Sequence, residues 1–439
     1  MKIAVFGLGY VGTVSAACLA RDGHQVIGVD VNPQKVEMIA DGRTPIIEPG
    51  LAALVQSGVQ EGRLTATESA ADAVAATDLA LICVSTPSRP NGDLNDTYLA
   101  KVAMEIGDCL RERDRRYTVV VRSTALPGTM RGRVIPLLET HAGATAGVDF
   151  GVCYHPEFLR EGSAIDDYDQ PPKIVLGADD EASRDALERI YLGQDAERLK
   201  TSIEEAELLK YVDNCWHALK VAFGNEFGRI CHALEIDGRR IMSMFAQDTK
   251  LNISSKYLRP AYAFGGSCLP KDLRAVNYLG RNRLDLSLPI LESIIPSNQV
   301  HVESGYELVV EAGNRAVGMV GLSFKPDTDD LRESPLVTLA ERLIGKGYQL
   351  RIYDPSINLA KLVGANRNYI EQTIPHIAEL LVPSLDDLLS HAKTVVIGHP
   401  ADVGEALADG IGDRQTVVDL HGLFWDRQTD DQDYRGIGW

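Results

Sequence analysis

The stretch Gly265-Gly266-Ser267-Cys268-Leu269-Pro270-Lys271-Asp272 sets a thiol on a glycine-rich loop with an ammonium and a carboxylate close behind it. A cysteine attacks a carbonyl only as the thiolate, and a nearby cation or a helix N-terminus lowers its pKa enough to populate that anion near neutrality. Cys268 is therefore a candidate nucleophile. The other cysteines, at positions 18, 83, 109, 153, 215 and 231, show no CxxC spacing and no accompanying histidine cluster, and the total of seven is odd. Neither a disulfide framework nor a metal site is expected.

A second constellation lies at the other end of the chain. Residues 3–30, IAVFGLGYVGTVSAACLARDGHQVIGVD, read as a buried strand, a Gly7-x-Gly9-x-x-Gly12 turn, a helix and a second strand ending in Asp30. Gly7 permits the tight turn, Gly9 lets the backbone approach a pyrophosphate, and Gly12 lets the helix pack on the strand. The helix N-terminus offers unpaired N–H groups to the phosphates. An acid about 20 residues on accepts hydrogen bonds from ribose hydroxyls and repels a 2′-phosphate, so the expected cofactor is NAD rather than NADP.

These groups need elements to hold them. At 439 residues with 45% apolar content, the chain is expected to form two or three soluble globular domains. A formal charge of −18 argues against a nucleic-acid or anionic-membrane surface, so a phosphate-bearing ligand must be met by local basic residues. The chain enters a β-strand at once and no run approaches a membrane span, so a cytoplasmic location is expected. Strand signals at 79–87, 117–129, 148–158 and 173–178 alternate with helical ones, which means a parallel, doubly wound sheet. Thr86 and Thr124 fall at strand ends, on the ligand side of such a sheet.

Residues 202–235 form a long proline-free helical stretch. At roughly 100 degrees per residue, Lys210, Asn214, His217 and Asn225 share about 80 degrees of arc, opposite Leu209, Val212, Trp216, Leu219 and Phe223. A solvated face is usually rich in Glu and Lys; this stripe is varied and is read as functional. A second β-α-β unit begins near residue 315 and lacks GxGxxG, so it is assigned to the nucleotide substrate. The expected fold is α/β, two Rossmann-like doubly wound domains joined by a long central helix. The expected divisions are 1–200 for NAD, 201–300 for a helical and dimerisation domain with the cysteine loop, and 301–439 for the nucleotide sugar.

The motifs GLGYVG (7–12), STP (85–87), RSTALPGT (122–129), PEFLREGSA (156–164), FGGSCLPKD (264–272) and LSFKPDTDDLRESP (322–335), with the Lys210/Asn214 helix, occur in order. Together they resemble the nucleotide-sugar 6-dehydrogenase family, the UDP-glucose and GDP-mannose dehydrogenases, over essentially the whole chain. NGDLN (91–95), NCWHALKVAFGNE (214–226), QDTKLNISSKYLRPAYAFGGSCLPKD (247–272) and IGKGYQLRIYD (344–354) are most similar to the GDP-mannose branch. The resemblance implies two successive NAD-dependent oxidations of a sugar C6 alcohol to a carboxylate, with Cys268 carrying first a thiohemiacetal and then a thioester. Lys210 and Asn214 would stabilise developing oxyanions, Asp272 would accept a proton, and Glu161 with Thr124 would orient the hydrolytic water.

The resemblance further assigns Tyr10, Val11, Lys35, Thr86, Thr124, Lys271, Lys325 and Arg332 to NAD, beside the glycines and Asp30. It assigns Glu161, Lys210, Asn214, His217, Asn225, Tyr257, Arg259, Tyr262 and Gly265 to GDP-mannose or another nucleotide sugar, with Arg259 able to pair with the diphosphate. It also implies a homodimer or higher oligomer built around the long helix. The sequence departs from the family pattern at His155, Ser85 and Lys256, which bear respectively on the nicotinamide contact, the pyrophosphate contact and the base preference. The rival readings are a UDP-glucose or UDP-N-acetylhexosamine enzyme with the same machinery, a two-electron 3-hydroxyacid-type dehydrogenase that needs no cysteine, and a non-catalytic sugar-nucleotide sensor. One NADH per substrate rather than two would favour the two-electron rival, and Cys268→Ser checks the sensor reading: acid formation should be lost while nucleotide-sugar binding is kept, and unchanged acid production would exclude a covalent role for the thiol.

Overall fold

The computed structural model describes residues 1–87, 89–90, 93–254, 260–266, 269–324, 331–357, 364–400, 403–424 and 433–437, except the side chains of Val221, Asp272 and 364–368. The chain divides into two compact units, Met1–Ala218 and Leu219–Trp439, with the boundary inside the helix Ile203–Ala233.

The first unit is built on eight strands: β1 (Lys2–Phe6), β2 (Gln25–Val29), β3 (Leu64–Thr67), β4 (Leu79–Ile82), β5 (Thr118–Val121), β6 (Gly151–Tyr154), β7 (Lys173–Gly177) and β8 (Glu197–Thr201). They lie in the order β3-β2-β1-β4-β5-β6-β7-β8, parallel except where β6 meets β7. Apolar residues run almost without break through the central strands because both faces are covered. Ile3, Val5, Leu79, Leu81 and Val120 pack into one layer, and Ala4, Phe6, Ala80, Ile82, Val119 and Val121 into the other. The register Val5↔Leu81↔Val120 and Phe6↔Ile82↔Val121 sends neighbouring side chains to the same face.

The glycine turn is enforced by contact. Gly7 has φ +96, and a Cβ on Gly12 would lie 1.8 Å from the Gly7 carbonyl oxygen. The first helix, Tyr10–Arg21, can pack this closely on β1 only because residue 12 has no side chain.

The second unit repeats the principle with five parallel strands, β9 (Ala316–Val320), β10 (Gln349–Tyr353), β11 (Thr394–Ile397), β12 (Thr416–Asp419) and β13 (Tyr434–Gly436), in the order β10-β9-β11-β12-β13. The two doubly wound sheets expected from the sequence are both present. Each has an acid just beyond its second strand that receives a backbone N–H from the loop after its first. Asp30 accepts from Leu8 N at 2.8 Å, and Asp354 from Leu322 N at 2.8 Å and Ser323 N at 3.2 Å. Asp354 is fully enclosed by these groups, whereas Asp30 opens onto a cavity.

The long helix is fastened by buried carboxylates. Glu207 accepts from Gly128 N (2.7 Å) and Met130 N (2.9 Å), at the start of the helical segment that follows β5, and burial pushes its carboxyl up. Glu226 accepts from Ile290 N (2.9 Å) and Leu291 N (3.1 Å), in the first turn of the helix Pro289–Glu311. The polar stripe read from the sequence includes Lys210, which is buried at 7% exposure, while Val212 and Trp216 of the apolar face are 53% and 40% exposed.

Gly12→Ala should destabilise the first unit by on the order of 3 kcal/mol or more, because the new methyl group would press directly on the Gly7 backbone. Urea unfolding measures this, and a variant as stable as the parent would mean that the helix slides without penalty.

Candidate active site

A cavity of about 630 Å³ opens at the C-terminal ends of the first sheet's strands, lined by Gly7, Gly9, Tyr10, Val11, Asp30, Lys35, Thr86, Thr124 and Glu157 among others. A Cβ placed on Gly9 would meet nothing within 4 Å, so the backbone there is open to a ligand. Asp30 is held from three sides: Oδ2 accepts from Leu8 N and from Lys35 Nζ (3.1 Å), and Oδ1 from Asn32 N (2.9 Å). Oδ1 keeps a lone pair for a ribose hydroxyl. Gly12 packs behind the turn. An open backbone nest, a helix N-terminus and a fixed acid at the rim fit a dinucleotide. Cys83 also lines this cavity, but burial pushes its thiol up to about 12, so it stays protonated.

Glu157, which lines the cavity, is one half of a charged pair whose other member, Lys210, is not a lining residue. Lys210 Nζ donates to Glu157 Oε1 at 2.8 Å and to the Glu157 carbonyl oxygen, with side-chain exposures of 8% and 13%. Its ammonium lies 5.5 Å from the Phe158 ring centroid, and Lys173 approaches the same ring at 4.8 Å. Thr86 Oγ1 donates to the Thr124 carbonyl at 2.8 Å and so joins the loops after β4 and β5. Reading the sequence selected Glu161 and passed over Glu157. The signal was present, because Glu157 follows β6 as Thr86 and Thr124 follow β4 and β5, and the strand-end rule applied to the threonines would have found it. Glu161 is exposed, and neither it nor Asn214 lines the cavity.

A second cavity of about 390 Å³ in the same unit contains His217, beside Phe158, Asp213, Lys173 and the buried trio Arg122, His155 and Tyr191. Asp213 pairs with Lys173 at 2.7 Å. His155 contacts the Val175 carbonyl through Nδ1 (2.7 Å) and Tyr191 Oη through Nε2 (2.7 Å), and Arg122 donates to Tyr191 Oη (3.0 Å). Burial, followed by the neighbouring guanidinium, pushes the imidazole down to about 3, so it is neutral near pH 7. Arg122 lines both cavities; His155 lines only the second, away from the dinucleotide turn.

In the second unit the segment leading to the cysteine loop is pinned at each step. Tyr262 N donates to the Leu420 carbonyl (2.8 Å) and its hydroxyl to the Val302 carbonyl (3.3 Å). Asn298 clamps Phe264 from both ends, accepting from its N–H (2.9 Å) and donating to its carbonyl (2.8 Å). A Cβ on Gly265 would fall 2.3 Å from the Glu333 carbonyl oxygen, and Gly266 has φ +84 with the Phe324 ring 2.9 Å from where its Cβ would be. The glycine pair is thus required by close packing. Asn298 was not foreseen, because an asparagine within a helical run carries no local mark of its partner. Asn225 and Lys271 are exposed and Arg332 is half-buried. Tyr257, Arg259, Cys268, Lys325 and the Asp272 side chain lie outside the described residues.

Removing one member of a buried pair leaves the other charge without compensation. Glu157→Ala should therefore lower the unfolding free energy by about 3 kcal/mol, and Glu157→Gln, which keeps a carbonyl acceptor for Lys210, by distinctly less. Denaturant titration of both variants checks this, and equal losses would show that the charge is immaterial.

Comparison with known proteins agrees with this geometry. Family models describe residues 1–194 as the NAD binding domain, 204–300 as the central domain and 318–423 as the UDP binding domain of the UDP-glucose/GDP-mannose dehydrogenase family. The chain is 51% identical over 424 residues to GDP-mannose 6-dehydrogenase of Pseudomonas putida, covering 97% of each protein. It is 34% identical over 364 residues to a UDP-glucose 6-dehydrogenase of Haloferax volcanii, covering 81% of this chain and 83% of the relative. Among solved structures, a ternary complex of GDP-mannose dehydrogenase from Pseudomonas aeruginosa superposes with a TM-score of 0.96 at 49% identity, covering all of both chains. A UDP-glucose dehydrogenase from Pyrobaculum islandicum gives 0.55 at 35% identity, covering 100% of this chain and 97% of that one. A dinucleotide cavity at the glycine turn, a buried lysine paired with Glu157 of its lining and these matches along the length of the chain have one reading: the protein belongs to the UDP-glucose/GDP-mannose dehydrogenase family and is an NAD-dependent nucleotide-sugar dehydrogenase.

Proposed function

We propose that the chain oxidises GDP-mannose at C6 to GDP-mannuronate. The observation that carries this choice is its 51% identity, across 97% of the chain, to an enzyme named for GDP-mannose, against 34% across 81% for one named for UDP-glucose.

NAD, when bound at the glycine turn and Asp30, supplies the hydride acceptor for both oxidations. Asp272 is assigned the proton of the C6 hydroxyl in the first. The Cys268 thiolate then adds to the aldehyde carbon, forming a C–S bond as the carbonyl oxygen takes a proton, and the resulting thiohemiacetal has a second hydride to lose. Loss of that hydride and of the hydroxyl proton leaves a thioester. Water adds to the thioester carbonyl, the C–S bond breaks, the thiol regains its proton, and the acid leaves. Lys210 and Asn214 are assigned to the oxyanions that form on the way. Glu161 and Thr124 are assigned to the water, and Glu157, which lines the cavity, holds the Lys210 ammonium. The helix Leu269–Tyr278 begins at the residue after Cys268, and its N-terminal N–H groups would favour the thiolate.

The same reading makes the enzyme a homodimer built around the long helix. It is supported by the exposure of Val212, Trp216 and Leu219 (53%, 40% and 43%), apolar side chains that water does not favour. It also makes the enzyme cytoplasmic. Among the described residues no helix is long and apolar enough to cross a membrane.

A panel of GDP-mannose, UDP-glucose and UDP-N-acetylhexosamines, followed by NADH absorbance, tests the proposal. GDP-mannose should be consumed with two NADH formed per sugar and the UDP-sugars should be inert. Turnover of a UDP-sugar instead would overturn the substrate choice, and one NADH per sugar would overturn the thioester route.

A further inference from the structure

Glu48 is a carboxylate of 7% exposure that does not line the dinucleotide cavity, yet it is bound to Tyr10, which does, and to the loop beyond Glu157. Oε2 accepts from the Tyr10 hydroxyl and from Gly162 N at 2.8 Å, and Oε1 accepts from Ala164 N at 2.9 Å. Tyr10 opens the first helix and lines the cavity. Gly162 and Ala164 flank Ser163, which precedes the short helix Ala164–Asp169 and makes no side-chain capping bond to it. Glu48 supplies that cap from 116 residues away in the chain. The Tyr10 hydroxyl also lies 3.4 Å from the Arg160 carbonyl, and the Tyr10 ionisation is raised by its own burial and then by the neighbouring Glu48 and Glu161. Gly162 has φ +88, so the turn that carries Glu161 bends where an ordinary side chain resists bending. Burial opposes the charge on Glu48, but the bonds from Tyr10, Gly162 and Ala164 outweigh it and hold the carboxyl below its usual range.

We propose that Glu48 is a positioning residue: it clasps the Arg160–Ala164 turn, and with it the loop that carries Glu157 and Glu161, to the cofactor-side Tyr10. Oxidation of the nucleotide sugar then depends on a carboxylate that touches neither substrate nor cofactor. The inference rests on the function proposed above for its kinetic consequence, though not for its structural one. An amide at position 48 keeps the shape but has one oxygen to offer where the carboxylate has two, so one backbone N–H loses its acceptor.

The test uses Glu48→Gln, Tyr10→Phe and the double variant in the full-length protein. In Glu48→Gln, amide hydrogen exchange of a peptide covering 158–166 should quicken about tenfold, the equivalent of one lost charge-assisted hydrogen bond. Its kcat/KM for GDP-mannose should fall by about the same factor, while the Kd for NAD stays within about twofold. Tyr10→Phe should shift exchange and kcat/KM in the same direction, and should add little in the Glu48→Gln background because both changes break one clasp. Parent-like exchange at 158–166, equal losses in NAD affinity and sugar turnover, or strictly additive effects would each overturn the proposal. If Glu48→Gln does not fold, Tyr10→Phe decides alone: faster exchange at 158–166 supports the clasp, and unchanged exchange overturns it. A parent enzyme inert toward every nucleotide sugar would sink the proposed function, and the exchange measurement would still decide the role of Glu48.

Discussion

An ammonium group from which water is largely excluded must be matched by the fold around it, and Lys210 is such a group. Its desolvation costs several kcal/mol unless an opposite charge and hydrogen-bond acceptors stand within reach. Glu157 meets both needs, with its carboxylate at 2.8 Å and its own carbonyl beside it. The pair joins the long helix to the end of β6, where ligands of parallel sheets collect. Placement of the charge, the helix and the loop is therefore one problem with one solution. The Phe158 face, approached by Lys210 and Lys173, leaves the cations attracted without neutralising them.

The same device recurs with backbone N–H groups as the donors. Glu48, Glu207 and Glu226 are buried carboxylates that each accept backbone N–H groups at or near the start of a helical segment distant in sequence. The first N–H groups of a helix lack partners within the helix, and a buried donor left unpaired is costly. A carboxylate from elsewhere satisfies two at once and favours the positive end of the helix dipole. Glu207 fastens the Lys210 helix to the loop beyond Thr124, and Glu48 fastens the loop beyond Glu157 to the glycine turn. The loops beyond Thr124 and Glu157 are thus held by charge-assisted bonds as well as by the apolar packing of Ala125, Phe158, Leu159 and Ala164.

The glycine turn and the cysteine segment show a second kind of constraint, closeness of backbone. Gly12 against Gly7, and Gly265 against Glu333, leave no room for a methyl group. These contacts explain why glycines stand at these positions in both motifs.

The motifs, the two doubly wound sheets and the NAD preference were legible in the sequence, because glycine spacing, strand-end acids and apolar runs are local patterns with local causes. The cofactor-side residues Gly7, Gly9, Tyr10, Val11, Asp30, Lys35, Thr86 and Thr124 follow from such patterns or from the family resemblance, and they meet in one cavity. The orientation of the long helix was only half legible. Periodicity separated its polar from its apolar stripe, but the burial of Lys210 and the exposure of Val212 and Trp216 depend on what packs against each stripe. The pairings of Glu157, Glu48 and Asn298 were invisible for a related reason. Their partners lie 53, 116 and 34 residues away, and a carboxylate or amide carries no sign of a distant donor until the chain has folded. What the sequence determined by itself was the repertoire of chemistry and the class of fold. Which charges are buried, and which loops they hold, was decided by tertiary structure alone, because desolvation and hydrogen bonding act through space and not along the chain.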